Sequence, residues 1–226
     1  MKYDQMTEGI FLERPNRFAA RVLVDGQPVW AHVKNTGRCR ELLIPGVCVY
    51  LQKNDDPRRK TAFSLIAVQK GDRLINMDSQ APNAVAEEYI RAGHIVRDLT
   101  YLKREYKYKD SRFDIYYEAG QRKGLIEVKG VTLEEDGIVR FPDAPTLRGV
   151  KHLNELAQAA KEGYETGVLF VVQMENVRYF TPNIQTHPEF AQALAHAKAC
   201  GVFVRAFWCR VEKDLLEIAG EIPVVL

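Results

Sequence analysis

Short apolar or alternating segments, separated by turn-forming residues, make up the first third of the chain. The segments with strand character lie at residues 17–24, 28–33, 48–52, 62–69 and 73–77. Closely spaced short strands with Gly, Pro, Asn and Asp between them are typical of small barrels. The pattern therefore predicts an OB-fold-like β-barrel within residues 1–80, with no long α-helix before Ala81.

A different pattern, in which helical and strand periodicities alternate, fills residues 81–226. Helices are predicted at residues 83–93, 145–162 and 187–199. Strands are predicted at residues 104–108, 113–118, 125–129, 167–173 and 202–208. After the first helix the order is β-β-β-α-β-α-β, which predicts a mixed sheet with flanking helices and so a second domain of the α/β (α+β) class.

Two carboxylates and a lysine stand out on the predicted strands of this second domain. Side chains alternate along a strand, so Glu127 and Lys129 point to one face and Val128 to the other. If the strands around Asp114 and Glu127 form a hairpin, their carboxylates lie side by side and repel each other. A divalent cation with oxygen ligands, most simply Mg²⁺, relieves that repulsion, and a nearby ammonium group stabilises charge on phosphate. The pattern therefore predicts metal-assisted phosphodiester hydrolysis.

The same spacing also has a purely structural interpretation. A Glu-x-Lys pair on a solvated strand face is common, and its charges then take no part in chemistry. The strand at residues 125–129 is strongly apolar apart from this pair, which favours a core position and a functional site. Phe113 and Ile115 are expected on the face opposite Asp114.

Other polar residues of the second domain are weaker candidates for the site. Glu88 lies at the margin of the apolar face of the first helix, where a carboxylate can complete a metal shell or form a surface ion pair. Arg112 and Arg148 can grip phosphate through bidentate hydrogen bonds, and Lys151 lies on the outer face of the long helix. His152 is expected to be a partly buried structural histidine.

The charge distribution favours the barrel as the part that binds nucleic acid. The net charge is +2, with 13 Lys/Arg against 9 Asp/Glu in the predicted barrel domain and 19 against 21 in the second domain. We expect Lys34, Arg38 and Arg40 to contact phosphates without reading sequence. Phe18 and Trp30 can stack on bases if they face outward, but core positions are the stronger expectation for both.

Composition narrows the class of protein and its compartment. Hydrophobic residues make up 46% and charged residues 27% of the 226 residues, as in folded globular proteins. The polar N-terminus and the lack of a long apolar run predict a cytoplasmic protein with no membrane partner. The four cysteines form no CxxC pair, so reduced thiols are expected and a zinc site is not.

Several short motifs, spread over nearly the whole chain, match a known family. They are Asn35-Thr36-Gly37-Arg38, Glu41-Leu42-Leu43, Pro45-Gly46, residues 105–114, residues 126–133, Phe141-Pro142-Asp143-Ala144, and the stretch from Thr146 to Leu153. On these residues the chain resembles the sugar fermentation stimulation protein A family of bacteria and archaea.

The resemblance implies an N-terminal OB-fold followed by a domain like the PD-(D/E)xK nucleases. It also implies non-specific DNA binding and a regulatory role in sugar (maltose) metabolism. By the same resemblance Asp114, Glu127 and Lys129 occupy the nuclease-core positions, and Glu88 is the acid supplied by the helix.

Functions of different classes remain open at this point. The first is a non-specific DNA-binding protein with a Mg²⁺-dependent nuclease site. The second is a DNA-binding regulatory protein without catalytic activity, and the third is a regulator that acts through a protein partner or small ligand. The sequence leaves open DNA or RNA, single or double strands, and whether the chain forms a homodimer. A sequence-specific regulator is disfavoured because no helix-turn-helix pattern is present.

Overall fold

The computed structural model describes residues 1–35, 37, 39–56 and 58–226. Its first part is a six-stranded sheet made of β1 (Met6–Asn16), β2 (Ala19–Val24), β3 (Gln27–Val33), β4 (Cys48–Lys53), β5 (Phe63–Lys70) and β6 (Arg73–Asn76). The strand order is β3-β2-β1-β4-β5-β6, and an additional parallel pairing of β3 with β5 closes five of the strands into a barrel. The predicted barrel is confirmed.

Strand β1 is absent from the sequence-based prediction, although it runs for 11 residues. Only Gly9 and Phe11 of this strand are buried, so its apolar alternation is weak. Register irregularities on both sides of Glu13 bend the strand, which pairs with β2 along one edge and with β4 along the other. An inward face with one glycine and one large apolar residue gives little signal in a sequence.

The second part of the chain contains nine further strands and three helices within the described residues. The strands are β7 (Leu99–Tyr108), β8 (Ser111–Ala119), β9 (Arg122–Val131), β10 (Leu133–Glu135), β11 (Ile138–Phe141), β12 (Glu165–Val172), β13 (Tyr179–Pro182), β14 (Phe203–Glu212) and β15 (Leu215–Ile222). The helices are α1 (Ala81–Arg91), α2 (Leu147–Lys161) and α3 (Pro188–Ala199). None of these helices is both long and apolar enough to cross a membrane, and no other helix of that kind occurs in the described part of the chain.

Six of these strands form the predicted mixed sheet, in the order β15-β14-β12-β9-β8-β7. Strand β12 is parallel to both β9 and β14, whereas β7, β8 and β15 are antiparallel to their neighbours. Strands β10, β11 and β13 form a separate small sheet that the sequence pattern does not predict. Each has only three or four residues, which is too short for an alternation to be recognised. Strand β15 is also missing from the prediction, because charged and small residues interrupt its apolar positions.

Two apolar cores lie on opposite faces of the large sheet. On one face, α1 packs through Val85 and Ile90. On the other face, α2 packs through Leu156 in the same cluster as Phe170 of β12. This second core continues without a break to Leu51 inside the barrel, so the two parts of the chain share one apolar interior.

Buried polar contacts reinforce the join between barrel and sheet. The ammonium of Lys34 lies 2.6 Å from Oδ2 of Asp78, which is fully buried. Close by, Nε2 of Gln173 donates to Oδ1 of Asn76 at 2.9 Å. Because an unpaired charge at such a depth is costly, these partners fix how the barrel sits on the sheet.

A second ionic contact crosses the same join at β10. The buried carboxylate of Glu134 lies 2.9 Å from Lys70 Nζ and 2.6 Å from Arg73, both of which belong to the barrel sheet. It also accepts a hydrogen bond from the Gly137 backbone N–H at 2.6 Å. Three donors on one buried carboxylate make this a well-satisfied polar contact.

Candidate active site

Asp114 and Glu127 lie side by side on neighbouring antiparallel strands, as the hairpin prediction requires. Ile115 of β8 is paired with Ile126 of β9, so Asp114 and Glu127 are the next positions along. The regular pairing ends there, and Oδ2 of Asp114 accepts a hydrogen bond from the Val128 backbone N–H at 2.8 Å. A carboxylate thus takes the place of a backbone acceptor just beyond the last paired residues.

The alternation of side chains along β8 is interrupted at Asp114. Phe113 belongs to the core on the α2 side, whereas Ile115 belongs to the core on the α1 side. The expectation that both lie on the face opposite Asp114 is therefore wrong. Strand β7 is distorted at the position opposite Asp114. Glu105 has a φ of 53°, and its neighbours on β7 are the residues that pair with Ile115 and Phe113. Such local irregularities re-aim side chains next to functional sites.

The environment of Asp114 makes its ionisation costly. Its Oδ1 accepts a hydrogen bond from Nδ2 of Asn83, on α1, at 2.8 Å. Burial, and then the charge of Glu127, raise the pKa of Asp114 to about 6, although the Val128 N–H and the ammonium of Lys129 act in the opposite direction. A nearby cation would favour the ionised form of this carboxyl group.

Glu127 is almost completely buried and has one satisfied and one unsatisfied carboxylate oxygen. Its Oε1 lies 2.5 Å from Lys129 Nζ and 2.5 Å from His152 Nδ1. Its Oε2 is buried and has no hydrogen-bond partner. Burial alone would raise the pKa of Glu127, but the hydrogen bond from His152 and the charge of Lys129 outweigh it and lower the pKa. Glu127 is therefore an anion with one acceptor oxygen still available.

His152 holds Glu127 from the side of α2. The imidazole is buried, and its Nε2 lies 3.4 Å from Nε of Arg148, one turn earlier on the helix. Since Nε2 accepts from the guanidinium, Nδ1 carries the proton that is donated to Glu127. The expected burial of His152 is confirmed, but its contact with Glu127 joins the histidine to the site. No signal in the sequence pairs these two residues, which are 25 positions apart.

The donor set fits a divalent cation. Two adjacent carboxylates repel each other, and the bare, buried Oε2 of Glu127 lacks the partner that a buried oxygen normally has. Hard cations such as Mg²⁺ and Ca²⁺ prefer oxygen ligands, and Mg²⁺ usually retains several waters. Across the described ranges no three His, Cys, Asp or Glu side chains converge for metal binding. Asp114 and Glu127 would hold the ion, with its other positions left to water, substrate or neutral oxygens.

Comparison with known proteins agrees with this architecture. The sequence model described as the SfsA N-terminal OB domain matches residues 12–77, and the model described as the sugar fermentation stimulation protein RE domain matches residues 80–215. The chain belongs to the sugar fermentation stimulation protein family.

Relatives in the SfsA family match the chain along its whole length. The sugar fermentation stimulation protein homologs of Clostridium beijerinckii and Desulfitobacterium hafniense (strain DSM 10664) are each 55% identical to this chain over 226 residues. Both alignments cover 100% of this chain. They cover 100% of the Clostridium protein and 99% of the Desulfitobacterium protein. The solved structure of Pyrococcus furiosus SfsA in complex with Ca²⁺ superposes with a TM-score of 0.92 at 27% identity, covering 100% of this chain and 98% of that one. These matches confirm the OB-fold followed by a mixed sheet with helices.

Glu88, the acid that the SfsA resemblance assigns to the helix, lies outside the carboxylate cluster. Its side chain is 58% exposed, and Oε2 lies 2.7 Å from the amino group of Met1. The residue of α1 that contacts Asp114 is Asn83, five positions earlier. Five residues turn a helix through about 140°, so the two side chains point in different directions. The sequence alone could not show that the N-terminus folds back to pair with Glu88.

The predicted phosphate-binding cations are spread over different surroundings. Lys34 forms the buried ion pair with Asp78 between the barrel and the sheet. Its charge neutralises that carboxylate, so Lys34 is not a surface cation. Arg40 is exposed, and it lines a pocket of about 770 Å³ beside the barrel. Arg38 lies outside the described residues.

The predicted cations of the second domain keep more exposed positions. Arg112 and Lys151 are 62% and 53% exposed, with acidic neighbours at 3.9 Å (Glu105) and 3.6 Å (Glu155). Exposed pairs at these distances are weak and leave both cations available to phosphate. Arg148 is exposed as well, although its Nε is engaged with His152.

The aromatic residues of the barrel are not where the sequence pattern placed them. Phe18 is 57% exposed and Trp30 is 49% exposed, so the expectation of core positions is wrong for both. The barrel interior is filled by smaller side chains, among them Ala20, Val22 and Ala31, which are fully buried. Along β3 the buried Ala31 and Val33 face inward, so Trp30 points outward, and Phe18 lies in the turn before β2.

Proposed function

We propose that this protein is a non-specific DNA-binding nuclease that hydrolyses phosphodiester bonds with the help of Mg²⁺. The observation that carries the proposal is the buried pair of Asp114 and Glu127, with one carboxylate oxygen unsatisfied and Lys129 beside it. A bound cation would supply the partner that this buried oxygen lacks. The arrangement resembles that of the PD-(D/E)xK nucleases, with acid, acid and lysine on two adjacent strands.

Each residue has a role that follows from its position. Asp114 and Glu127 would hold the divalent cation, which would supply Lewis-acid activation of the phosphate and of water. Lys129 is 18% exposed and its ammonium lies 2.5 Å from Glu127 Oε1, so it would lie beside a cation held by the two carboxylates. There it stabilises negative charge that develops on the phosphoryl oxygens and orients the attacking water. Asn83 and His152 hold the two carboxylates in place.

The Pyrococcus furiosus relative supports a divalent cation in this family. Its structure was solved in complex with Ca²⁺, and its backbone follows that of this chain closely. Ca²⁺ and Mg²⁺ share a preference for carboxylate oxygens. We propose that Asp114 and Glu127 bind Mg²⁺ in this chain.

A second candidate function is a DNA-binding regulator of sugar (maltose) metabolism that does not cut DNA. The observation that favours it is the state of Glu127, whose Oε1 is occupied by both Lys129 and His152. A carboxylate already neutralised by a lysine can be a structural ion pair. The family name, which refers to sugar fermentation, agrees with a regulatory role.

Cleavage assays separate the two functions. Labelled single- and double-stranded DNA and RNA are incubated with the protein in Mg²⁺, Mn²⁺ or EDTA. The variants Asp114→Asn and Lys129→Ala are compared with Lys123→Ala, which removes an exposed lysine from the same strand. The nuclease requires metal-dependent cutting that both site variants lose and the control keeps. Tight DNA binding without cutting in any metal would assign the regulatory function instead.

A further inference from the structure

Glu105 is the one residue within a described strand whose backbone is left-handed. It lies in the middle of β7 and has a φ of 53°. Every other described residue with a positive φ, whether glycine or not, lies in a turn or loop outside the strands and helices. A residue with a Cβ is disfavoured in this conformation, and such strain is found most often at functional sites.

Strand β7 is fixed on both sides of Glu105. Arg104, immediately before it, pairs with Ile115 of β8. Tyr106, immediately after it, pairs with Phe113, which is fully buried. Regular pairing before and after Glu105 constrains its backbone, so the surrounding fold imposes the strain.

The same register places Glu105 directly opposite Asp114. The pairing of β7 with β8 runs in step on both sides of this position, and the two acids face each other across it without being paired. Like charges that face each other on adjacent strands destabilise a sheet. A cation bound at this position would offset the repulsion, because it attracts both carboxylates.

The carboxylate of Glu105 is available to a ligand. Its side chain is 56% exposed, and its ion pair with Arg112 is long, at 3.9 Å. Glu105 also lines a pocket of about 510 Å³ together with Asn83 of α1, whose side chain contacts Asp114 at 2.8 Å. One pocket therefore connects Glu105 with the candidate site, and an exposed side chain can rotate without any movement of the backbone.

The candidate cation site has two carboxylates in the present arrangement of side chains. They belong to Asp114 and Glu127, and Oε2 of Glu127 is buried without a hydrogen-bond partner. Ca²⁺ takes about six to eight oxygen ligands, and its affinity depends on how many of them are charged. Glu88 does not serve as a third acid here, because its carboxylate lies against the amino group of Met1.

We propose that Glu105 is the third carboxylate ligand of the divalent cation at Asp114 and Glu127. This inference rests on the proposed function, because it completes the same cation site. Glu105 is the one acidic residue of β7, so no neighbour on that strand can replace it. The strained backbone is then a consequence of keeping an acid opposite Asp114 in the middle of a strand.

Glycine and alanine substitutions in the full-length protein test the backbone strain. Glycine adopts a positive φ freely, whereas alanine keeps the unfavourable Cβ. In EDTA we expect Glu105→Gly to unfold at a higher urea concentration than Glu105→Ala. At Lys103, an exposed position of β7 without a positive φ, the order should be reversed. The same order at both positions would mean that Glu105 carries no strain, and it would overturn the proposal.

Calorimetric titration with Ca²⁺ tests the contribution of Glu105 to cation affinity. We expect Glu105→Gln to bind Ca²⁺ about tenfold more weakly than the wild type, because the site loses a charged ligand. Glu217→Gln is the matched control, since it removes an exposed carboxylate from β15, at the other edge of the same sheet. Equal Ca²⁺ affinity in Glu105→Gln and the wild type overturns the proposal, as does an equal loss in the control.

Luminescence of bound Tb³⁺ tests whether Glu105 is a direct ligand. Tb³⁺ takes the same oxygen ligands as Ca²⁺, and its lifetimes in H₂O and D₂O report how many waters it coordinates. Glu105→Gly removes the carboxylate and relieves the backbone strain, so the variant is expected to stay folded. It should bind Tb³⁺ with more coordinated water than the wild type does. An unchanged number of coordinated waters overturns the proposal.

Failure of this inference and failure of the proposed function give different results. Loss of Ca²⁺ binding in Asp114→Asn, with wild-type affinity in Glu105→Gln, overturns the role of Glu105 and leaves the proposed cation site intact. A wild-type protein that binds neither Ca²⁺ nor Tb³⁺ contradicts both.

Discussion

His152 and Glu127 form a buried pair in which the imidazole Nδ1 lies 2.5 Å from the carboxylate Oε1. Both side chains are almost inaccessible, so the histidine fixes the rotamer of Glu127 and leaves its Oε2 directed away from the pair. Partners of this kind set the orientation of metal ligands. His152 is therefore a positioning residue, with Arg148 in turn contacting its far nitrogen.

Removing that support should weaken the metal site rather than the DNA surface. We expect His152→Ala to raise the Mg²⁺ concentration needed for half-maximal cleavage about tenfold to a hundredfold. His152→Gln, which keeps a side-chain donor, should recover part of the loss. Direct titration of Ca²⁺ by calorimetry gives the affinity without turnover. Wild-type Ca²⁺ affinity in a folded His152→Ala protein would show that the histidine has only a packing role.

The raised pKa of Asp114 predicts a pH dependence of metal binding. The pKa rises to about 6, so below that pH the carboxyl group is protonated and must lose a proton before it can bind a cation. Ca²⁺ affinity should therefore fall by up to tenfold for each pH unit below about 6 and level off above it. Calorimetric titrations between pH 5 and pH 8 measure this directly. An affinity that stays constant over that range would contradict the assignment of Asp114 as a ligand.

The same carboxylate should destabilise the metal-free protein at neutral pH. A folded-state pKa above the unfolded value means that ionised Asp114 opposes folding, in proportion to the pKa difference. In EDTA at pH 7, Asp114→Asn should therefore raise the free energy of unfolding by about 1 kcal/mol. Added Ca²⁺ should stabilise the wild type and leave the variant unchanged. Urea unfolding with and without Ca²⁺ measures both effects, and a less stable variant in EDTA would refute the argument.

Glu134 should contribute stability that is lost in acid. Burial alone would raise its pKa, but hydrogen bonds from Lys70, Gly137 and Arg73 lower it to about 2. Because the folded-state pKa is depressed, the contribution is fully present above about pH 4.5 and declines as the pH falls toward 2. Glu134→Gln should cost about 2 kcal/mol at pH 7 and much less at pH 3. The control is Glu135→Gln, whose side chain is 77% exposed and should change stability little.

Gly130 has no room for a side chain. A Cβ added there would lie 2.6 Å from Gln173 Oε1 and 2.7 Å from Pro82 Cγ. Gly130→Ala should therefore destabilise the fold by about 1–3 kcal/mol. The displacement of β9 should also reduce cleavage more than it reduces DNA binding, because Lys129 is the adjacent residue. A variant with wild-type stability and cleavage would mean that the neighbours yield without cost.

The sequence predicts the scaffold and the adjacency of Asp114 and Glu127, because both depend on local patterns. The hairpin spacing is enough to bring Asp114 beside Glu127. The contacts of Asn83 with Asp114 and of His152 with Glu127 are not predicted from the sequence. The partners are 31 and 25 positions apart, and only the packing of α1 and α2 on the sheet brings them together. Local irregularity also limits prediction from the sequence. The distortion at Glu105 accompanies an interruption of the side-chain alternation along β8, which the sequence does not reveal.

Charged and aromatic residues are misplaced for a different reason. Lysine is usually a surface residue, yet Lys34 forms an ion pair with Asp78, which is 44 residues away in the sequence. Trp30 is of a residue type that is usually buried, yet the strand directs its neighbour Ala31 inward and therefore Trp30 outward. Residue type gives a preference for burial, whereas the available volume and partners are properties of the whole fold.

The apolar interior that runs from Leu51 in the barrel to Leu156 beneath α2 has a consequence for cooperativity. Neither half can open without exposing part of the other, so the chain should unfold in a single transition. A barrel expressed alone would present to water the apolar side chains that now meet the sheet, and it should aggregate. The cleft of about 180 Å³ that Asn35 and Gly37 form with Gly130 is thus a seam within one folding unit, and its width is fixed by the same packing that keeps the protein folded.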